Sequence, residues 1–309
     1  MQQTPSSGRV GWGAVLVLAA YLFLAPPILL LGPLAGLLLL SRPGTAREWI
    51  WIVGALVWSA VWLTQPGGLA LQFARAGSVL LAGTFLALTM WRPSADFSRA
   101  LTATAIAAAA LVLWMWHLDL HWGEIQHALE HNLWTYNREL MSRLAEASRV
   151  RSGTEGMLDE MSSMVRTVGS LYPAFLALAS LGGLRLAWSW YHRIAKRPLG
   201  PPPTRFTAFQ FNDQLVWGWV VGLSLALLPL TPGGSLIGGN LLLVWAALYA
   251  VRGLAVFSVG SGRVSAPVIA TISLVALFLL PFVLAGLTLL GLADTWLDFR
   301  RRLMATSTT

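Results

Sequence analysis

The sequence predicts an all-α fold: a polytopic transmembrane helix bundle of about seven or eight membrane segments with an extracytoplasmic amphipathic helical hairpin. Composition is the first observation, since 56% of the 309 residues are hydrophobic and only 11% are charged, whereas a soluble domain has about 25% charged residues. The second is a series of apolar runs that approach the roughly 20 residues a helix needs to cross hydrocarbon. The third is one acidic segment with helical periodicity, residues 118–166, between two of those runs.

Eight apolar segments are candidate membrane helices, because irregular backbone cannot face lipid. The first contains Pro26-Pro27 and Gly32-Pro33, so it is either one kinked crossing or two shorter helices folded back at the prolines. The last segment has the same two alternatives around Pro281. The segments are residues 10–40, 49–64, 70–90, 101–116, 168–191, 215–230, 236–259 and 267–292.

The charges of the loops predict an orientation in a bacterial cytoplasmic (inner) membrane. Four loops carry nine basic residues together, and the short intervening loops 65–69 and 231–235 carry none. The positive-inside rule therefore places the basic loops in the cytoplasm and residues 118–166 outside, while the side of the C-terminus stays open. The net charge of +8 has the same origin, so we expect contact with membrane lipid and no nucleic-acid binding. The basic loops are residues 41–48, 91–100, 192–214 and 259–266.

Residues 118–166 are predicted to form an antiparallel helical hairpin. They hold eight of the 13 acidic residues against five Arg, and their apolar residues recur every three or four positions from Leu118 to Leu144. This spacing is typical of one stripe on an amphipathic helix. The stripe needs a cover, which is the other arm, the membrane surface, another protein or a second copy of the chain. The chain is thus divided into N-terminal membrane helices (1–117), the hairpin (118–166) and C-terminal membrane helices (167–309).

The polar face of the hairpin carries one candidate metal site, formed by His117, His121, Glu124, His127 and His131. On an α-helix these side chains fall within about 120° of each other. Imidazoles four residues apart can share a divalent metal, and a carboxylate can complete the set. The alternative is a solvated polar face, which an amphipathic helix needs in any case. No other cofactor is expected.

Several chemistries are excluded by missing residues. There is no cysteine, which excludes thiolate metal sites, disulfides and cysteine nucleophiles. The motifs GxxxxGK[ST], GxGxxG and GxSxG are also missing, so nothing indicates nucleotide hydrolysis by a P-loop, dinucleotide binding or a hydrolase elbow. We therefore expect a protein that is not an enzyme.

Polar residues within the apolar segments give a candidate ligand-binding set. A charge at membrane depth is costly and usually faces a cavity or a partner. Arg252 is the deepest such residue, and it is predicted to contact an anion or to pair with Asp213 or Asp294. Asn240 shares its segment and completes the set. Two other arginines are nearer to segment ends and are predicted to extend to the interface: Arg75 and Arg185.

A set of short motifs lies within residues 205–302: residues 211–217, Asn240-Leu241, Leu248-Tyr249, residues 253–256 and residues 291–300. Together these motifs resemble the YybS-like family of bacterial multi-pass membrane proteins. Arg252 stands where members of that family often have an amide, so no shared role is carried over to this position. The family is distantly similar to the substrate-binding membrane subunits of energy-coupling-factor transporters, which bind vitamins or metal ions and rely on partner ATPases. The resemblance thus implies a ligand-binding role energised by a partner.

Two functional hypotheses follow from the sequence. The first is a non-enzymatic integral membrane subunit that binds a small ligand, or helps translocate it, with energy from a partner protein. The second is a structural or assembly subunit of a larger membrane complex that docks partners through the hairpin. A membrane-embedded metalloenzyme using the histidine face ranks last, because one helix rarely supplies a whole catalytic site.

Overall fold

All regular structure is helical in the part of the chain that the computed structural model describes: residues 12–93, 97–136, 142, 155–228, 233–261 and 278–299. The all-α prediction is therefore confirmed for these residues. The helices are α1 (Trp12–Leu24), α2 (Ile28–Leu40), α3 (Ala46–Thr64), α4 (Leu69–Trp91), α5 (Phe97–His117), α6 (Trp122–Tyr136), α7 (Glu155–Ile194), α8 (Val216–Leu227), α9 (Gly234–Ser261) and α10 (Leu280–Leu297). Two 3₁₀ turns, Phe206–Ala208 and Asp213–Leu215, precede α8.

Five of the described helices are long and apolar enough to cross a membrane: α3, α4, α5, α9 and α10. A sixth span is obtained if Ser162–Ser170 and Tyr172–Ile194, the two parts of α7 that meet at a bend of 58°, count as one crossing. This is fewer than the seven or eight predicted segments. The difference lies in α1, α2 and α8, which have 13, 13 and 12 residues. Helices of that length extend about 20 Å, against about 30 Å of hydrocarbon.

The first apolar segment forms two helices that are separated at its prolines. α1 ends at Leu24 and α2 begins at Ile28, directly after Pro27. α2 is apolar on all sides, as expected of a helix that belongs in a core. It is buried along most of its length and packs against α3, α4 and α7. α1 is tied to the bundle by the hydroxyl of Tyr21, which donates to the carbonyl of Ala179 at 2.9 Å.

The last apolar segment is described only from residue 278, so the prediction for residues 267–277 lies outside the described residues. α10 begins at Leu280, with Pro281 in its first turn. Proline is well placed there, because the missing N–H would have no partner within the helix. The helix ends at Leu297, and its C-cap residue Asp298 adopts the left-handed conformation with φ of 48°.

Three of the four basic loops meet at one end of the bundle, which we call the loop end. Thr45 and Glu48 form a capping box that begins α3. The other carboxylate oxygen of Glu48 accepts a hydrogen bond at 2.7 Å from the backbone N–H of Lys196, just beyond α7. Gly200 lies so close to the carbonyl of Pro93 that no β-carbon fits between them. Loops 41–48, 91–100 and 192–214 are therefore neighbours in space.

Part of the apolar stripe of the predicted hairpin packs against the bundle itself. Ile125 of α6 is fully buried against Phe73 of α4 and Leu111 of α5. Trp122 and Leu129 pack against the same cluster. α6 also contacts α7, a helix that includes residues 155–166 of the predicted second arm and continues into the next membrane segment. The stripe residues Leu140 and Leu144 and the break at 152–154 lie outside the described residues.

Candidate functional site

Arg252 lies inside the candidate span of α9 and is only 3% exposed. A guanidinium at this depth is stable only when carboxylates or backbone oxygens satisfy it. Its Nε donates to Oδ2 of Asp294 at 3.1 Å, and its Nη1 donates to Oδ1 of Asp213 at 2.8 Å. The structure therefore joins three of the four residues of the candidate ligand-binding set. One positive charge and two negative charges meet at this point.

The two carboxylates differ in environment. The side chain of Asp294 is 0% exposed, whereas the side chain of Asp213 is 62% exposed. Asp294 is therefore the fixed partner of Arg252, inside the span of α10. Asp213 contacts Arg252 from the exposed side of this group, while only 4% of the Arg252 side chain is exposed.

Local structure explains how these side chains come together. Gly253 and Gly291 let α9 and α10 touch backbone to backbone, since a β-carbon at either position would overlap the carbonyl of the other helix. Such close crossings are typical of small residues between membrane helices. Asn212 caps the turn that carries Asp213 by accepting a hydrogen bond from the N–H of Gln214 at 3.0 Å.

Aromatic side chains pack against the charged group. The guanidinium of Arg252 lies 5.4 Å from the ring centroid of Phe211, which is within the range of a cation–π contact. Phe211 in turn meets Tyr249 edge-to-face at 5.1 Å and lies 6.1 Å from Phe97 at the start of α5. Sequence reasoning assigned no role to Phe211. These contacts place the site at the loop end of the bundle.

Asn240, the fourth predicted ligand residue, lies elsewhere and has another role. It is twelve positions before Arg252 on α9, which corresponds to about 18 Å along a helix. Its Oδ1 accepts from the N–H of Ala174 at 2.9 Å, and its Nδ2 donates to the carbonyl of Ser170 at 2.9 Å. In an unbroken helix the N–H of Ala174 would donate to the carbonyl of Ser170, and here the Asn240 amide bonds to both groups instead. It completes α7 at its bend, next to Pro173.

We expect Asn240→Ala to lower the free energy of unfolding by about 1–3 kcal/mol, because two partly buried backbone groups of α7 lose their partner. In a Pro173→Ala background the helix can close its own hydrogen bond, so the same substitution should cost clearly less. A double-mutant cycle measured by thermal unfolding in detergent checks this coupling. Strictly additive losses would contradict the role given to Asn240.

The other intramembrane arginines contact backbone carbonyls near helix ends. Arg75 donates to the carbonyl of Trp62 at 2.9 Å and to that of Gln65. Arg185 donates to the carbonyl of Thr204 at 2.7 Å.

Arg99 is a buried cation that sequence reasoning left among the loop charges. It is 4% exposed, and its guanidinium lies 4.0 Å from the ring centroid of Trp188 and 5.0 Å from that of Phe85. It also donates to the carbonyl of Pro93 at 3.4 Å. No motif marks this position, because the two rings come from distant segments.

The predicted metal ligands are not gathered into one site. His117 ends α5, His121 precedes α6, and the others follow along α6. All four imidazoles are exposed. Among the described residues, no group of three or more His, Cys, Asp or Glu side chains is placed to hold a metal ion. The turn at 118–121 breaks the continuous helix on which the predicted arrangement depended.

Comparison with known proteins adds one relationship. No curated protein and no solved structure matches the chain. The family described as "Predicted membrane protein (DUF2232)" matches residues 13–295, which include every helix from α2 to α9 and most of α1 and α10. Because the match covers most of the chain and agrees with its apolar spans, the chain belongs to this family of predicted membrane proteins.

Proposed function

We propose that the chain is a non-enzymatic integral membrane subunit that binds a small anionic ligand at Arg252 and helps move it with energy from a partner protein. The observation that carries this proposal is the buried Arg252, held by one buried and one exposed carboxylate. Ionisable residues inside membrane spans commonly mark substrate or ion pathways.

Asp213 indicates the chemistry of the ligand. Its carboxylate contacts Nη1 of Arg252 while most of its side chain is in solvent, so its release to water has little cost. A ligand carboxylate or phosphate can take its place without changing the charge that faces Arg252. Arginine suits this exchange because its planar fork matches both groups.

The need for a partner follows from motifs that are missing. The sequence has no P-loop, so energy from ATP would be supplied by another protein. The resemblance of residues 205–302 to the YybS-like family, and more distantly to energy-coupling-factor subunits, supports this arrangement. In the proposal, the loop end faces the cytoplasm of a bacterium and offers the surface for the partner.

Native mass spectrometry of protein extracted gently from its own membrane tests the proposal. We expect a reproducible small-molecule adduct, co-purifying ATPase subunits, or both. Asp213→Asn should keep or increase the adduct because the internal competitor is weakened, and Arg252→Gln should lose it. Asp298→Asn is the matched control, since Asp298 is exposed and its backbone conformation suits asparagine. Spectra without an adduct in the wild type and in Asp213→Asn would overturn the ligand site.

A structural or assembly subunit is the second candidate, and one observation favours it. Asn240 and Arg252 are both engaged by the chain itself, as expected if polar residues only lock the bundle. A stoichiometric complex with membrane or secreted proteins that are not ATPases, together with no adduct, would support this candidate.

A further inference from the structure

A cavity of about 170 Å³ lies between α2, α4, α5, α6 and α7, on the side of the bundle opposite the loop end. Leu81, Leu111 and Leu176 line its interior, and Trp122 of α6 lies over one end. The lining is almost entirely apolar. The hydroxyl of Thr104, a polar group in the wall, already donates to the carbonyl of Ala100 at 2.9 Å.

The space is produced by the backbone and by small residues. Pro173 lines the cavity at the 58° bend of α7, and Asn240 holds that bend open. Gly77, Ala107 and Ala177 form much of the opposing walls. An apolar cavity of roughly 150 Å³ stays dry in water and accepts apolar molecules, so this space suits hydrocarbon rather than water.

The cavity communicates with the outer surface of the bundle. Ala108 and Val112 line it and are also exposed on α5, with Val112 at 64%. α5 is a candidate membrane span, so the molecules next to this opening are lipids.

Trp122 lines the cavity at the level where α5 ends and α6 begins. Tryptophan is enriched where acyl chains meet lipid headgroups, so Trp122 marks the headgroup level next to the cavity. We propose that the cavity binds a segment of one acyl chain of a membrane phospholipid, with α6 as its cover. This inference is independent of the Arg252 site.

Photolabelling in nanodiscs of phosphatidylethanolamine and phosphatidylglycerol tests the inference. A small fraction of the phosphatidylethanolamine carries a diazirine in one acyl chain, and labelled peptides are mapped by mass spectrometry. We expect label on Leu111, Met115 and Leu176. Label confined to residues on the bundle exterior, such as Val53 and Val61, which are 53% and 56% exposed, would overturn the proposal.

Two variants sharpen the result. Ala108→Leu narrows the opening and should reduce the interior label, whereas Ala109→Leu, exposed on the same helix, should leave it unchanged. Equal interior labelling in Ala108→Leu and Ala109→Leu would contradict entry through this opening. Interior labelling only by a diazirine fatty acid would assign the cavity to a free fatty acid instead.

Discussion

Arg252→Met should lower the free energy of unfolding by about 3–5 kcal/mol, because it leaves the fully buried carboxylate of Asp294 without its cation. Methionine keeps the length of the side chain but donates no hydrogen bond. Asp213→Asn should cost only about 0–1 kcal/mol, since that carboxylate is 62% exposed. Titration with sodium dodecyl sulfate in mixed micelles measures both losses.

Arg193→Met is the control for the loss of one positive charge. Arg193 is exposed and has a cation–π contact with Trp190 at 5.7 Å, so its loss should be about 1 kcal/mol or less. Adding Asp294→Asn to Arg252→Met removes the stranded charge and should restore part of the stability. Equal losses for Arg252→Met and Arg193→Met would show that the buried pair does not stabilise the bundle.

Gly253→Ala and Gly291→Ala should each destabilise the protein by about 3 kcal/mol, at the upper end of the usual cost of overpacking. At either position the added β-carbon would overlap a backbone carbonyl of the facing helix, which cannot move as a side chain can. The helices must separate, and the Arg252–Asp294 hydrogen bond lengthens with them. The same titration in mixed micelles checks these values.

Two other glycines on the same helices should respond to alanine substitution with a gain of stability rather than a loss. Gly239 on α9 and Gly286 on α10 have open space where a β-carbon would be. Alanine at these positions should stabilise each helix by up to about 0.5–1 kcal/mol through its higher helix propensity. If all four alanine variants behaved alike, close packing of α9 on α10 would not be the reason for Gly253 and Gly291.

The hydropathy pattern predicted the pairing of Arg252 well, because that prediction needs only the position of a charge within an apolar segment. A guanidinium within an apolar run must find a carboxylate, and the two aspartates at the ends of neighbouring apolar segments were the natural partners of Arg252. Asn240 was placed in the same set for its polarity alone. Its actual partners are 66 and 70 positions away along the chain, and no periodicity relates residues at such distances.

Other features were missed for different reasons. Thr45 and Glu48 have the spacing of a capping box, so this cap could be predicted from the sequence. The hydrogen bond from Lys196 to Glu48 could not, because it joins residues that are distant along the chain. Arg99 was read as a loop charge, although two aromatic rings cover it. The prolines of the first segment left two alternatives, and only packing shows that α2 is the central helix of the core.

The hydrogen bond between Glu48 and Lys196 also has a consequence for the timing of biogenesis. It joins residues 148 positions apart, and ribosomes add about 5–20 residues per second. Glu48 must therefore wait roughly 7–30 s after its own synthesis before its final partner is made. During that interval the early helices lie in the membrane without the hydrogen bond that joins Glu48 to Lys196 at the loop end. Water can hydrate this carboxylate until α7 is made, so the burial of Glu48 is a late step in the folding of the chain.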